Sequence, residues 1–333
     1  MIRVRDLRVD YDNVCAVQDL SLEVGEGEVC GLIGPNGAGK TTTMRTMLGL
    51  IEPTYGSIEM AGVDIRERPD DAKSVVGFMP DFAPMYDDLK CWEFLDLFAA
   101  SYGIPRAERP GEVDRHLALV GLTEKREAMI VELSRGMRQR LMLAKTLIPG
   151  PRVLLLDEPA SGVDPQGRID LKNVLKMLAA EGRTVLISSH ILSEMSEFCT
   201  SVAIMERGRM VVCGKIDEIN ARIMGDAVLS IEVLGDPGPF LAIVEADPHR
   251  AGEVERRGTA HEFRYRGGPE ACADLLARLV GEGVRVASFA PRKDNLEELF
   301  LKVGAKALSC GIVDGVGGGR DDGRRGDRRW TRS

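Results

Sequence analysis

The chain has 333 residues, room for about two domains at roughly 150 residues each and for a full hydrophobic core. Apolar residues make up 44% and charged residues 29%, and no stretch approaches the roughly 18 uninterrupted apolar residues of a membrane helix, so the chain reads as globular and not as bilayer-spanning. Lys plus Arg is 44 against Asp plus Glu at 52, a net charge of -8 that excludes a dedicated DNA or RNA binder. Seven cysteines form an odd set with no C-x-x-C pair and no histidine at ligand spacing, which predicts reduced, mostly buried thiols.

The first eleven residues, MIRVRDLRVDY, alternate like a strand and lack the apolar core of a signal peptide. Next comes VCGLIGPNGAGKTT, an apolar strand over 29–33 that turns through glycines into a helix beginning near Lys40. Gly34-x-x-x-x-Gly39-Lys40-Thr41 is a P-loop. Its glycines let the backbone turn tightly, so that N–H groups and the positive end of the following helix converge on an anion. Lys40 is expected on the β and γ phosphates, and the Thr41 hydroxyl on Mg²⁺, a hard ion that uses few protein oxygens.

Downstream, Gly77-Phe78-Met79-Pro80-Asp81 precedes FAPMYDDLKCWEFLDLFAASYG, a run rich in Phe, Met, Tyr and Trp in a chain that is only 5% aromatic. Such a run fills a small helical subdomain, presents an apolar surface to a partner, or does both. Leu133-Ser134-Arg135-Gly136-Met137 opens a helix, with Ser134 as its N-cap and exposed N–H groups suited to a second anion site. Arg152-Val-Leu-Leu-Leu-Asp157-Glu158-Pro159 is a short continuous apolar run ending in two acids, as expected of a strand buried on both faces of a parallel sheet. Ligands gather beyond the carboxyl ends of such strands, which places Asp157 and Glu158 near the P-loop. Asp157 is expected to hold Mg²⁺, and Glu158 to polarise the attacking water as a general base. Ser161-Gly162-Val163-Asp164 follows, and Ser188-Ser189-His190 ends a further apolar strand, where a histidine can sense a third phosphate.

These segments, in this order over roughly residues 1 to 220, resemble the nucleotide-binding subunit of ATP-binding-cassette (ABC) transporters. Residues 133–137 resemble the family's LSGGQ signature, with Arg135 replacing the first glycine and Met137 the glutamine. Asp164 falls in the segment that resembles the D-loop, and His190 resembles the switch histidine. Tyr11 resembles the aromatic residue that stacks on adenine. Asp81 stands where the family commonly has a glutamine that contacts Mg²⁺ and water; it offers an oxygen too, on a shorter arm with an added negative charge.

The resemblance implies an α/β P-loop NTPase with a mixed-sheet core over 1–220 and a helical subdomain over about 84–150. ATP would be held by Tyr11, by Gly34, Pro35, Asn36, Gly37, Ala38, Gly39, Lys40, Thr41 and Thr42, and in trans by Ser134, Arg135, Gly136 and Met137 of a second copy. Glu158 and His190 would be catalytic, and Thr41, Asp81 and Asp157 would hold the Mg²⁺ cofactor. The partners implied are a separate ABC transmembrane permease, whose helices the aromatic run would receive, and a second copy in a head-to-tail homodimer; no specific nucleic acid is expected. The location implied is the cytoplasmic face of the cell membrane, reached through the permease. A soluble ABC ATPase acting on ribosomes or DNA is the alternative. Ribosome-acting relatives usually carry two cassettes, and Lys40 and Asp157 stand only 117 positions apart, too few for the long coiled coil of the DNA-repair type.

Beyond about residue 225 the pattern changes to β-α-β-β-α-β, which predicts a small α+β ferredoxin-like domain over 225–307. Asn295 to Val303 reads as an amphipathic helix that resembles the closing element of export-type subunits. With the LSRGM variant, this extension implies export. Residues 308–333 mix Gly, Arg and Asp, offer little to bury, and are expected to be disordered.

Overall fold

Strand β1 (Ile2–Tyr11) buries Ile2, Val4, Leu7 and Val9, and the change of parity between Val4 and Leu7 coincides with a register shift against its neighbour and with Asp6 at φ +48°. It is the second strand of an antiparallel sheet ordered β2-β1-β4-β5, with β2 (Val14–Val24), β4 (Tyr55–Met60) and β5 (Val63–Asp64). The chain is seen here in a computed structural model, which describes residues 1–11, 14–82, 84–191, 195, 198–216, 218–219 and 226–291. The described residues fall into two compact units, one over Met1–Gly214 and one beginning at Lys215.

The second sheet of the first unit holds the apolar runs read from the sequence. Its order is β10-β9-β3-β8-β7-β6, with β3 (Val29–Ile33), β6 (Val76–Met79), β7 (Val153–Asp157), β8 (Thr184–Ser189), β9 (Ser201–Glu206) and β10 (Arg209–Lys215). The pairs β3/β8, β3/β9, β7/β8 and β6/β7 are all parallel. Every residue of β3, β7 and β8 is buried, which is why these runs are continuously apolar and do not alternate. Leu154, Leu155 and Leu156 are fully buried, a gain of roughly 1.5–3 kcal/mol each relative to exposure. Because β3, β8 and β7 are adjacent and parallel, the segments that leave their carboxyl ends emerge side by side. Helices α1 (Lys40–Met47), α2 (Pro69–Val75) and α6 (Pro165–Ala180) belong to the same unit.

Between β6 and β7 lie α3 (Cys91–Ser101), α4 (Arg109–Leu119) and α5 (Arg135–Leu147). The aromatic-rich run divides its side chains: Cys91, Phe94, Leu95 and Ala99 are buried, whereas Phe82, Tyr86, Leu97 and Tyr102 are exposed. It thus fills the helical core and presents an apolar surface at once. The expectation of mostly buried cysteines is corrected. Of the six free cysteines among the described residues, Cys30 and Cys91 are buried, Cys15, Cys199 and Cys272 half-buried, and Cys213 exposed on β10.

The second unit contains β11 (Asp226–Val233), α7 (Gly238–Glu245), β12 (Glu255–Arg257), β13 (Ala260–Arg266), α8 (Gly268–Gly281) and β14 (Val286–Pro291). Their sheet runs β12-β13-β11-β14, antiparallel throughout, with Ile231 opposite His261 on one side and Phe289 on the other. This is the predicted β-α-β-β-α-β sequence in a ferredoxin-like order. Leu229, Ile231, Phe240, Phe263 and Tyr265 form its core with Leu275 and Leu279 of α8. The helix read over 295–303 and the tail over 308–333 lie outside the described residues.

Candidate functional site

The P-loop links β3 to α1. Gly37 and Gly39 sit at φ +82° and +100°, and a Cβ on Gly39 would stand 2.6 Å from the Ala16 carbonyl, so only glycine lets β2 pass that close. The Lys40 ammonium is buried and donates to the carbonyls of Gly34 at 2.6 Å and Pro35 at 3.3 Å. Burial lowers its pKa, and the carboxylates of Glu158 and Asp157 oppose that shift by favouring the cation.

Thr41, at the start of α1, donates its hydroxyl to Asp157 Oδ2 at 3.1 Å, across 116 residues of sequence. Ser188 donates to the other oxygen of the same buried carboxylate. A hydroxyl and a carboxylate in contact beside a phosphate-binding loop are hard oxygen donors of the kind Mg²⁺ takes, so the residues present fit that ion. The next residue, Glu158, adopts φ +50°, and its N–H donates to both the carbonyl (3.2 Å) and the hydroxyl (3.1 Å) of Ser188. That turn separates the two acids: Asp157 faces Thr41, while both Glu158 carboxylate oxygens lie 3.0 Å from His190 Nδ1. The Glu158 side chain is 15% exposed and that of His190 46%, so the histidine is the more open to solvent of the pair.

Thr41, Asp157 and Glu158 line a cleft of about 500 Å³, whereas Ser188 and His190 lie outside its lining and bound, with Glu158, a smaller cavity of about 120 Å³. Asn36 to Thr42 form the floor of the larger cleft, and Asp81, Asp157 and Glu158 its acidic wall. Val14, Cys15, Ala16 and Arg207 complete it, and sequence reading assigned none of these four. The fold brings them there: Gly208 donates its N–H to the Ala38 carbonyl at 3.0 Å, and Gln18 N–H to the Gly208 carbonyl at 2.7 Å, so the turn between β9 and β10 clamps β2 against the P-loop. Tyr11 pairs with Val14 across the β1/β2 hairpin and is 43% exposed, outside the residues that line the cleft.

Ser134, Arg135, Gly136 and Met137 also lie outside that lining. Ser134 caps α5, its Oγ accepting from Met137 N–H at 3.3 Å. Asp164 caps α6, accepting from Gly167 N–H at 3.2 Å. Gln139, one turn into α5, donates to the Asp81 carbonyl at 3.4 Å, which ties the start of that helix to the cleft wall.

The family model described as "ABC transporter" matches residues 17–161. Nod factor export ATP-binding protein I of Cupriavidus metallidurans is 35% identical over 315 residues, covering 92% of this chain and 98% of that protein. Linearmycin resistance ATP-binding protein LnrL of Bacillus subtilis is 30% identical, over 92% of this chain and 99% of its own length. Among solved structures, an ATP-binding subunit of an ABC transporter superposes with a TM-score of 0.61 at 30% identity, covering 67% of this chain and 93% of that one. CbiO1 of Clostridium perfringens, part of the cbiONQ transporter complex, gives a TM-score of 0.61 at 26% identity over 67% of this chain and 91% of its own. With the P-loop, the paired acids and the histidine gathered at one sheet edge, these likenesses establish that the chain belongs to the ATP-binding, ATP-hydrolysing proteins of the ABC transporter family.

Proposed function

We propose that this chain energises an export system at the cytoplasmic face of a membrane by hydrolysing ATP, with transport carried by a separate permease. The relatives named for Nod factor export and linearmycin resistance support export, and they match nearly the whole chain. Among the described residues no helix is long and apolar enough to cross a membrane, so the pathway for cargo falls to another chain. The exposed Phe82, Tyr86 and Tyr102 support a docking role for the helical region.

The loop N–H groups, the amino end of α1 and Lys40 hold the phosphates. Thr41 and Asp157, with Asp81 on the same wall, would hold Mg²⁺, which when bound offsets phosphate charge. Glu158 takes a proton from the attacking water as its oxygen bonds to the γ-phosphorus and the bond to the bridging oxygen breaks. His190 fixes the Glu158 carboxylate from the other side. The observation that carries this reading is the division of labour between adjacent acids, Asp157 turned to Thr41 and Glu158 to His190. Because Ser134 and Gly136 lie outside the cleft, we assign them to the ATP of a second copy arranged head to tail, closed by ATP and released by hydrolysis.

Glu158→Gln tests the reading. Phosphate release is expected to fall by about 100-fold or more, with Mg-ATP still bound and the protein eluting at twice its monomer mass. Turnover at the wild-type rate would remove Glu158 as the base, and a monomer saturated with Mg-ATP would remove the dimer. Capture of the same variant in mild detergent is expected to bring down one polytopic membrane protein; ribosomal or DNA-bound partners in its place would overturn the transporter role.

A further inference from the structure

Arg135 is the first residue of α5, directly after the capping Ser134. Its Nη2 donates to Ser161 Oγ at 3.2 Å. Its Cδ, Nε and Cζ cover Gly162 so closely that a Cβ there would stand 2.7–2.8 Å from them. Gly162 also adopts φ +69°, a backbone conformation that favours glycine at that position. The adjacent Gly136 approaches the same segment: a Cβ on it would lie 3.5 Å from Val163 Cγ1 and 3.6 Å from Asp164 Oδ1. Two successive residues of α5 thus touch the stretch over 161–164.

That stretch is the continuation of the Glu158 turn. Ser161 N–H donates to the Glu158 carbonyl at 3.0 Å, and Val163 N–H to the Ala160 carbonyl at 3.2 Å. Among the described residues, Glu158, Ser161, Gly162 and His190 bound a small cavity of about 120 Å³. The guanidinium of Arg135 contacts, on the α5 side, the turn that carries the Glu158 side chain.

We infer that Arg135 is a positioning residue for hydrolysis: within one chain it ties the start of α5 to the turn over 158–162 and keeps the Glu158 carboxylate aligned. This rests on the reading of Glu158 as general base. Arginine suits the task because its planar group covers a glycine and donates a directed hydrogen bond together, which lysine cannot do.

In the full-length protein, Arg135→Ala is expected to lower kcat by about tenfold, since small misplacements of a reacting group are costly in rate. The ATP dissociation constant of the monomer, read at a protein concentration too low for the two copies to pair, should change by less than about twofold, because within one chain Arg135 does not line the P-loop cleft. Ser161→Ala is expected to give a similar loss of kcat, and the double variant no more than the larger single loss. Arg135→Lys should recover part of the rate. A rate at or above wild type in Arg135→Ala, an equal loss of ATP affinity, or multiplying losses in the double variant would overturn the inference. Glu158→Gln run alongside separates the two claims. If it turns over normally, the base assignment fails; if it is nearly inactive while Arg135→Ala is unaffected, only the brace fails.

Discussion

In the unit over Met1–Gly214, polar side chains gather beyond the carboxyl ends of parallel strands and find partners there: Lys40 on the carbonyls of Gly34 and Pro35, Asp157 between Thr41 and Ser188, Glu158 on His190. Among the described residues of the second unit the buried ones are apolar apart from His261, whose ring lies tilted 5.1 Å from that of Phe240 with its Nδ1 unpaired. The contrast follows from topology. Parallel crossovers return each strand to the same edge, so three successive loops deliver a lysine, two acids and a histidine to one place. The antiparallel β12-β13-β11-β14 sheet sends neighbouring strand ends in opposite directions and, among the described residues, gathers no comparable set.

The largest test of this contrast is Lys40→Ala. Its ammonium is buried beside Asp157 and Glu158, and its loss is expected to cut hydrolysis by about 100-fold or more, read by phosphate release. Survival of near-normal turnover would mean that the chemistry does not depend on this edge. Next, Ile231→Ala opens a cavity in the fully buried core of the second unit and should destabilise it by about 2–5 kcal/mol. Urea unfolding is expected to show an early transition for that unit with ATP binding retained below it. A parallel loss of ATP binding would show that the units do not divide the work as described.

The smallest effect sharpens the comparison within the first unit. His116 of α4 is 2% exposed, with Nδ1 2.8 Å from the Glu112 carbonyl, and burial holds its pKa below the usual imidazole value. The unfolded chain therefore takes up this proton first. The stability contributed by neutral His116 is present above about pH 6.5 and is lost as pH falls through the lower folded value. The urea midpoint of the first unit should drop between pH 7.5 and pH 5.5, and His116→Gln should flatten that slope; an unchanged slope would assign the acid sensitivity elsewhere.

The P-loop and the β7 acids were legible in the sequence because each is a local pattern with a fixed spacing, and local spacing survives folding. The β-α-β-β-α-β order was legible for the same reason: alternation in 226–233 and 260–266 contrasts with the helical run of 268–281. Three features were not. Val14 to Ala16 and Arg207 meet across the cleft from separate sheets, nearly the length of the first unit apart, and no periodicity encodes that meeting. The left-handed turn at Glu158 is imposed by Ser188, a residue 30 positions away on β8. The grip of Arg135 on Gly162 likewise depends on two helix starts being packed together, and each looks unremarkable alone.

Glu158 holds a backbone conformation that an L residue with a side chain adopts at a cost of order 1–3 kcal/mol, and glycine or asparagine would adopt more cheaply. On the proposed role of Glu158 as general base, a laboratory selection that rewarded heat tolerance alone would therefore favour Gly or Asn at this codon and return a sturdier protein with strongly reduced turnover. Retaining glutamate there is a trade-off in which durability yields to activity at a single site.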